Sequence, residues 1–125
     1  MIIGAQFLFY STDPEADRAF LRDVLEFRSI DIGGGWLIFG LPPAELAVHP
    51  SEKNFTQTHA DHGLLGAVLY LMCDDLTSTV KSLEAKKIRC TEIAKERWGI
   101  KTTIPLPGGG EIGLYQPSHP TALSL

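Results

Sequence analysis

Four short stretches carry residue types whose spacing could do chemistry. His59 and His62 form an H-x-x-H pair, which holds a metal when a helix presents it and a third ligand joins it. Neither a helix signal nor a motif-placed carboxylate accompanies it, so these read as solvated loop histidines. Arg97-Trp98-Gly99 places a guanidinium beside an aromatic ring, which suits a planar anionic ligand and equally suits a surface ion pair. His49, just before Pro50, is either a strand-end histidine in solvent or a polar group of a binding face. Gly108-Gly109-Gly110 before Glu111 could cradle a phosphate if a helix followed. The following Ile112-Gly113-Leu114-Tyr115 alternates like a strand, and Pro117 and Pro120 forbid an early helix. The glycines therefore read as a hairpin turn supplying positive φ.

These residues are positioned by elements that occur twice. Ala5 to Tyr10 is strand-like and ends at Ser11-Thr12-Asp13-Pro14, a helix cap with proline at the start. A helix to about Glu26 follows, with Ala16, Phe20, Leu21, Val24 and Leu25 on its apolar side. Strands are then expected near Phe27 to Ile32, Trp36 to Phe39 and Glu45 to His49. In the second half, Ala67 to Cys73 is a strand and Asp74-Asp75 caps a helix with Leu76, Val80 and Leu83 at i, i+4 and i+7. Strands near Arg89 to Ile93, Lys101 to Leu106 and Glu111 to Tyr115 complete it. A βαβββ pattern thus repeats at an offset of about 62 residues, without residue identity between the copies. Ser51 to Gly66 reads as a polar connector that could close over a site.

The 125 residues suit one domain with its own core, its units spanning about 1–58 and 64–118. The net charge of −4, with scattered Lys and Arg, gives no basic face for a phosphate backbone and argues against a nucleic-acid partner. No apolar run reaches the ~20 residues that span a bilayer, and the first residues lack the features of a signal peptide, so a cytoplasmic location without a membrane partner is expected. Cys73 and Cys90 form no C-x-x-C or metal pattern and read as reduced thiols.

The run from Phe9 to Phe27, with Asp13-Pro14-Glu15-Ala16 and Arg22-Asp23-Val24-Leu25, together with the closing Gly109-Gly110-Glu111-Ile112-Gly113-Leu114-Tyr115-Gln116-Pro117, resembles the vicinal oxygen chelate superfamily. Glyoxalases, bleomycin resistance proteins and extradiol dioxygenases belong to it. The resemblance spans nearly the whole chain and implies an α+β fold: two tandem βαβββ units forming a cupped mixed sheet, helices on its convex face. It also implies a homodimer, supported by the unpaired edges of a half-closed sheet.

In members that use a metal, four inner-strand side chains hold one divalent ion, and the matching positions here are Gln6, Ala47, Val68 and Gly113. Only Gln6 can donate an oxygen, short of the roughly three protein ligands a catalytic site requires. A carboxylate in the metal enzymes is replaced by Gly113. Alternation along the strands puts Gln6, Leu8 and Tyr10, then Val68, Tyr70 and Met72, then Glu111, Gly113 and Tyr115 with Ala47 and His49, on the concave face. Glycine at Gly113 lowers the floor where a ligand ring could lie. Tyr70, Tyr115, Trp36 and Trp98 are ligand platforms or ordinary core and interface residues.

The expected function is therefore binding of an amphiphilic or aromatic small molecule in the cup, without cofactor or metal. Gln6, His49, Tyr70, Arg97, Trp98, Glu111, Gly113 and Tyr115 are the expected ligand-binding residues. The alternative is a metal-dependent lyase, isomerase or dioxygenase whose single divalent ion sits in a displaced site of Gln6, His49 and Glu111. A purely structural or interaction role is the third possibility.

Overall fold

The computed structural model describes residues 1, 4–51, 53 and 55–125. The fold is α+β, with two helices, two separate hairpins and one four-stranded mixed sheet among the described residues. The chain divides into two compact units: residues 1–40 with 105–111, and residues 41–104 with 112–125.

In the first unit, helix α1 (Pro14–Asp23) begins where expected. Asp13 accepts from the Ala16 amide at 3.2 Å, and Pro14 occupies the first turn, where a missing N–H costs nothing. The glycine turn is fastened to this same end. Gly108 N donates to Asp17 Oδ1 at 2.7 Å and Thr12 Oγ1 donates to the Gly108 carbonyl at 3.0 Å. A Cβ on Gly108 would run into Ser11 Oγ and Asp17 Oδ2, while Gly109 has φ +94°. One glycine thus permits close approach and the next a left-handed backbone. Strands β1 (Ser29–Asp31) and β2 (Leu37–Phe39) form an antiparallel hairpin across Gly33, Gly34 and Gly35, all at positive φ. The Arg18 guanidinium lies 4.7 Å from the Trp36 ring centre, a cation–π contact. The expected first strand, Ala5 to Tyr10, is irregular here, and Phe7, Leu8, Phe9 and Tyr10 are exposed. A strand needs a neighbour to take its ladder bonds, and this run joins none of the sheets among the described residues.

In the second unit, β3 (Thr56–His59) and β4 (His62–Leu65) form an antiparallel hairpin inside the segment expected to be a connector; Glu52 and Asn54 of that segment lie outside the described residues. Ala60 and Asp61 link the strands at φ 50° and 64°, the left-handed pair that matches the twist of a hairpin. The expected strand Glu45 to His49 is irregular, and Pro42, Pro43 and Pro50 around it remove backbone donors. Strand β5 (Tyr70–Met72) is shorter than expected. Helix α2 (Leu76–Ala85) is capped twice, Asp75 accepting from Ser78 N at 3.0 Å and Gln116 Oε1 from Leu76 N at 2.9 Å. Strands β6 (Ala94–Glu96), β7 (Gly99–Pro105) and β8 (Glu111–Pro117) complete the sheet in the order β5-β8-β7-β6, β5 running parallel to β8 and β6 antiparallel to β7. The strand expected at Arg89 to Ile93 lies further along, at β6. Thr91 is nonetheless bonded to the sheet, its amide donating to the Thr103 carbonyl and its own carbonyl accepting from the buried Thr102 hydroxyl.

The second βαβββ copy is therefore present as β5, α2, β6, β7 and β8. Its core takes Leu76, Val80 and Leu83 from one helix face and Ile104, Ile112 and Leu114 from alternate strand positions, all buried.

Candidate functional site

Parallel pairing sets Tyr70 opposite Gly113 and Met72 opposite Tyr115, so these four share one face while Ile112 and Leu114 fill the core on the other. Trp98 reaches the same place from the two-residue loop between β6 and β7. That loop depends on Gly99: its φ is +148°, and a Cβ there would strike the Gln116 carbonyl oxygen.

Three rings meet edge to face. Tyr70 and Trp98 have centroids 5.5 Å apart at 77°, Tyr70 and Tyr115 5.6 Å at 85°, and Trp98 and Tyr115 5.1 Å at 77°, the geometry that sets the positive edge of one ring against the negative face of another. Lys101 Nζ lies 5.6 Å from the Trp98 ring centre and pairs with Glu96 at 3.1 Å.

Two residues of this cluster escaped the sequence reading. His119 lies nearly parallel to Tyr115 with centroids 6.1 Å apart, and its Nε2 is 3.1 Å from the Tyr115 hydroxyl. Its Nδ1 is 2.8 Å from the Pro120 carbonyl. A carbonyl only accepts, so Nδ1 carries the proton and, in the neutral ring, Nε2 accepts from the Tyr115 hydroxyl. Glu45 joins the C-terminal segment by accepting from Ala122 N at 2.6 Å. Burial, and then the Glu45 carboxylate, push the Tyr115 hydroxyl above its ordinary value of 10.0. His119 lies outside every expected strand, and Glu45 heads the Glu45 to His49 run that is irregular here, so only the tertiary structure sets them beside Tyr115.

The raised Tyr115 value has a checkable consequence. A phenol held neutral by the fold contributes stability that is fully present below pH 10 and is lost as pH rises through the folded-state value. The tyrosinate absorbance of the native protein should include a phase above pH 10 that Tyr115→Phe removes, and Tyr115→Phe should lose less stability than wild type over that range. The thiols respond similarly. Burial is the main cause that raises both Cys73 and Cys90, so at pH 8 both should react with a disulfide reagent more slowly than free cysteine.

Of the expected site residues, Tyr70, Trp98, Gly113 and Tyr115 come together. Arg97 is exposed beside them, its carbonyl accepting from Ser118 Oγ at 3.2 Å. His49 is exposed, with Nδ1 2.7 Å from the Pro50 carbonyl. Glu111 and Gln6 are exposed and belong to the other unit. His59 and His62 face each other across the β3–β4 turn.

The family's divalent ion does not fit the positions assigned to it. Ala47, Val68 and Gly113 offer no side-chain donor, and a Cβ at Gly113 would fall against Cδ1 and Cε1 of Tyr70. A carboxylate there has no room while that ring is in place. Among the described residues, no three of His, Cys, Asp and Glu are grouped to hold a metal, and no helix is long and apolar enough to cross a membrane.

No family model and no curated protein sequence matches the chain. Solved structures do. An antibiotic binding protein from Streptomyces sp. CB03234 matches over 94% of this chain and 99% of its own, with 23% identity and a TM-score of 0.61. A lactoylglutathione lyase from Agrobacterium tumefaciens matches over 86% and 88%, with 19% identity and a TM-score of 0.59. A glyoxalase/bleomycin resistance protein from Streptomyces sp. CB03234 matches over 85% and 93%, with 20% identity and a TM-score of 0.52. The chain has the fold of the glyoxalase/bleomycin resistance proteins, the fold of the vicinal oxygen chelate superfamily that its sequence resembles.

Proposed function

We propose that this protein binds a planar aromatic or amphiphilic small molecule without a metal, on the wall formed by Trp98 and Tyr115. The observation that carries this reading is Gly113: where the metal enzymes place a carboxylate, this chain has a glycine covered by an aromatic ring. Aromatic faces with a few polar groups at the edge are a common lining for small-molecule sites. Here the polar groups are the Tyr115–His119 hydrogen bond and Lys101, whose Nζ lies over the Trp98 ring. A structural neighbour described as an antibiotic binding protein has the same fold, which supports a binding role. No cofactor enters this reading.

Trp36 and Trp98 are the two tryptophans, so Trp36→Phe leaves Trp98 as the sole indole emitter. Its fluorescence should change on addition of a planar aromatic probe such as 2-naphthol, saturably, and binding should be lost in Trp98→Ala. Native mass spectrometry and elemental analysis of the purified protein should show no stoichiometric transition metal, and chelator should leave Tm unchanged because nothing bound to the folded state alone is removed. A bound metal, or a clear fall in Tm with chelator, would overturn the metal-independent reading.

The same proposal includes a homodimer. Phe7, Leu8 and Phe9 are each more than two-fifths exposed, and an apolar run of this kind is rarely left uncovered in a monomer. A second copy that pairs with this stretch would take its backbone bonds as well as its side chains. Ultracentrifugation at micromolar concentration should give twice the chain mass of 13.7 kDa; a monomer throughout would refute it.

A further inference from the structure

We infer that the Tyr70 ring is a displaceable occupant of the ligand position, and that the ligand inserts a phenol-sized planar ring where Tyr70 now lies. This rests on the binding role proposed above and names the part of the ligand that is recognised.

Three observations carry it. The Tyr70 ring occupies the space a side chain at Gly113 would otherwise take, within 2.8 Å (Cγ) of where that Cβ would be. Its ring neighbours are Trp98 and Tyr115, each nearly perpendicular to it, and among the described residues no hydrogen bond anchors its hydroxyl. Tyr70 is also 36% exposed, whereas Tyr115 beneath it is 7% exposed. A partly exposed ring with no hydrogen bond at its hydroxyl leaves by a single rotation about its Cα–Cβ bond. Gly113 needs no positive φ, so a turn or bulge does not explain the glycine, but the ring above it does. Whatever displaces that ring inherits the same floor and the same two ring neighbours, Trp98 and Tyr115. The vacated space has the shape of a flat six-membered ring, and a puckered saturated ring of equal size is thicker than the ring it would replace.

The consequence is a sign. If Tyr70 were a wall of the site, its removal would weaken binding. As an occupant, its removal strengthens binding, because apparent affinity is reduced by the fraction of molecules in which the position is free.

The probe is p-cresol, which has the shape of the tyrosine side chain, with 4-methylcyclohexanol as its saturated counterpart, measured by ligand-observed NMR and by Trp98 fluorescence in the Trp36→Phe background. Wild type should bind p-cresol weakly, and Tyr70→Ala should bind it about tenfold or more tightly, with a much smaller gain for 4-methylcyclohexanol. Tyr70→Val, which keeps a strand-forming residue, serves if the alanine variant does not fold. Adding Gly113→Leu to either variant should abolish the gain by filling the position. Weaker binding in the Tyr70 variants, or binding by them with none detectable in wild type, overturns the inference: Tyr70 is then a wall or a fixed part of the core. An equal gain for both probes overturns the planar specificity. If Trp98→Ala leaves p-cresol binding unchanged throughout, the binding site itself lies elsewhere and the functional proposal falls with it.

Discussion

Gly99→Ala is expected to destabilise the protein by about 2–4 kcal/mol, the combined scale of a strained backbone and a steric clash. Its φ of +148° lies where side chains other than hydrogen are rarely found, and the added methyl would meet a backbone carbonyl, Gln116 O, rather than a movable side-chain tip. Relief requires either β7 or β8 to shift. Both shifts reach further than the hairpin: Gln116 caps α2 through Leu76 N, and Trp98 precedes the glycine directly. The substitution should therefore lower Tm by about 10 °C, at roughly 3–5 °C per kcal/mol for a chain of this size, and alter Trp98 emission as well. Gly109→Ala provides the comparison. Gly109 also has positive φ, +94°, but a Cβ there meets nothing within 4 Å, so strain alone should cost about 1–2 kcal/mol. Equal losses in thermal unfolding would show that the clash at Gln116 is not the cause.

Leu76→Ala is expected to cost about 2–5 kcal/mol, the range for truncating a fully buried leucine. Leu76 is 0% exposed and begins α2. Alanine is a strong helix former, so the helix should persist and the loss should report the cavity left in the core formed with Val80, Leu83, Ile104, Ile112 and Leu114. Urea unfolding should show a lower midpoint with an unchanged slope. Gln116→Ala removes the second cap on the same turn and should cost about 1 kcal/mol. Because Gln116 bonds to the Leu76 amide, the two losses should depart from additivity by more than those of distant sites. A Leu76→Ala loss below about 1 kcal/mol would mean that this position is not the centre of the core.

The α+β class, both helix starts, the two faces of β8 and the second βαβββ copy are legible in the sequence because they rest on local rules. Caps act within four residues, helical and strand periods place side chains by covalent geometry, and proline and glycine punctuate the chain through their own φ. Leu76, Val80 and Leu83 lie on the helix face that their spacing required. Gly113 and Tyr115 lie opposite Ile112 and Leu114 for the same reason.

Tertiary structure alone decided the rest. Ala5 to Tyr10 and Glu45 to His49 have strand-like residues, yet a strand exists only when another backbone takes its hydrogen bonds, and no pattern within the run names that partner. The β3–β4 hairpin turns on Ala60-Asp61 rather than the Asn-Gly or Asp-Gly that usually marks such a turn, so its left-handed φ values had no local signature. At the candidate site, spacing placed Tyr70 and Gly113 on one face, but the registry that sets one directly opposite the other comes from parallel pairing between residues more than forty positions apart. That registry puts the tyrosine ring over the glycine. The empty floor expected from the missing side chain is therefore filled by the protein's own ring, because an uncovered space beside packed aromatics forfeits contacts that a neighbouring side chain regains by turning into it.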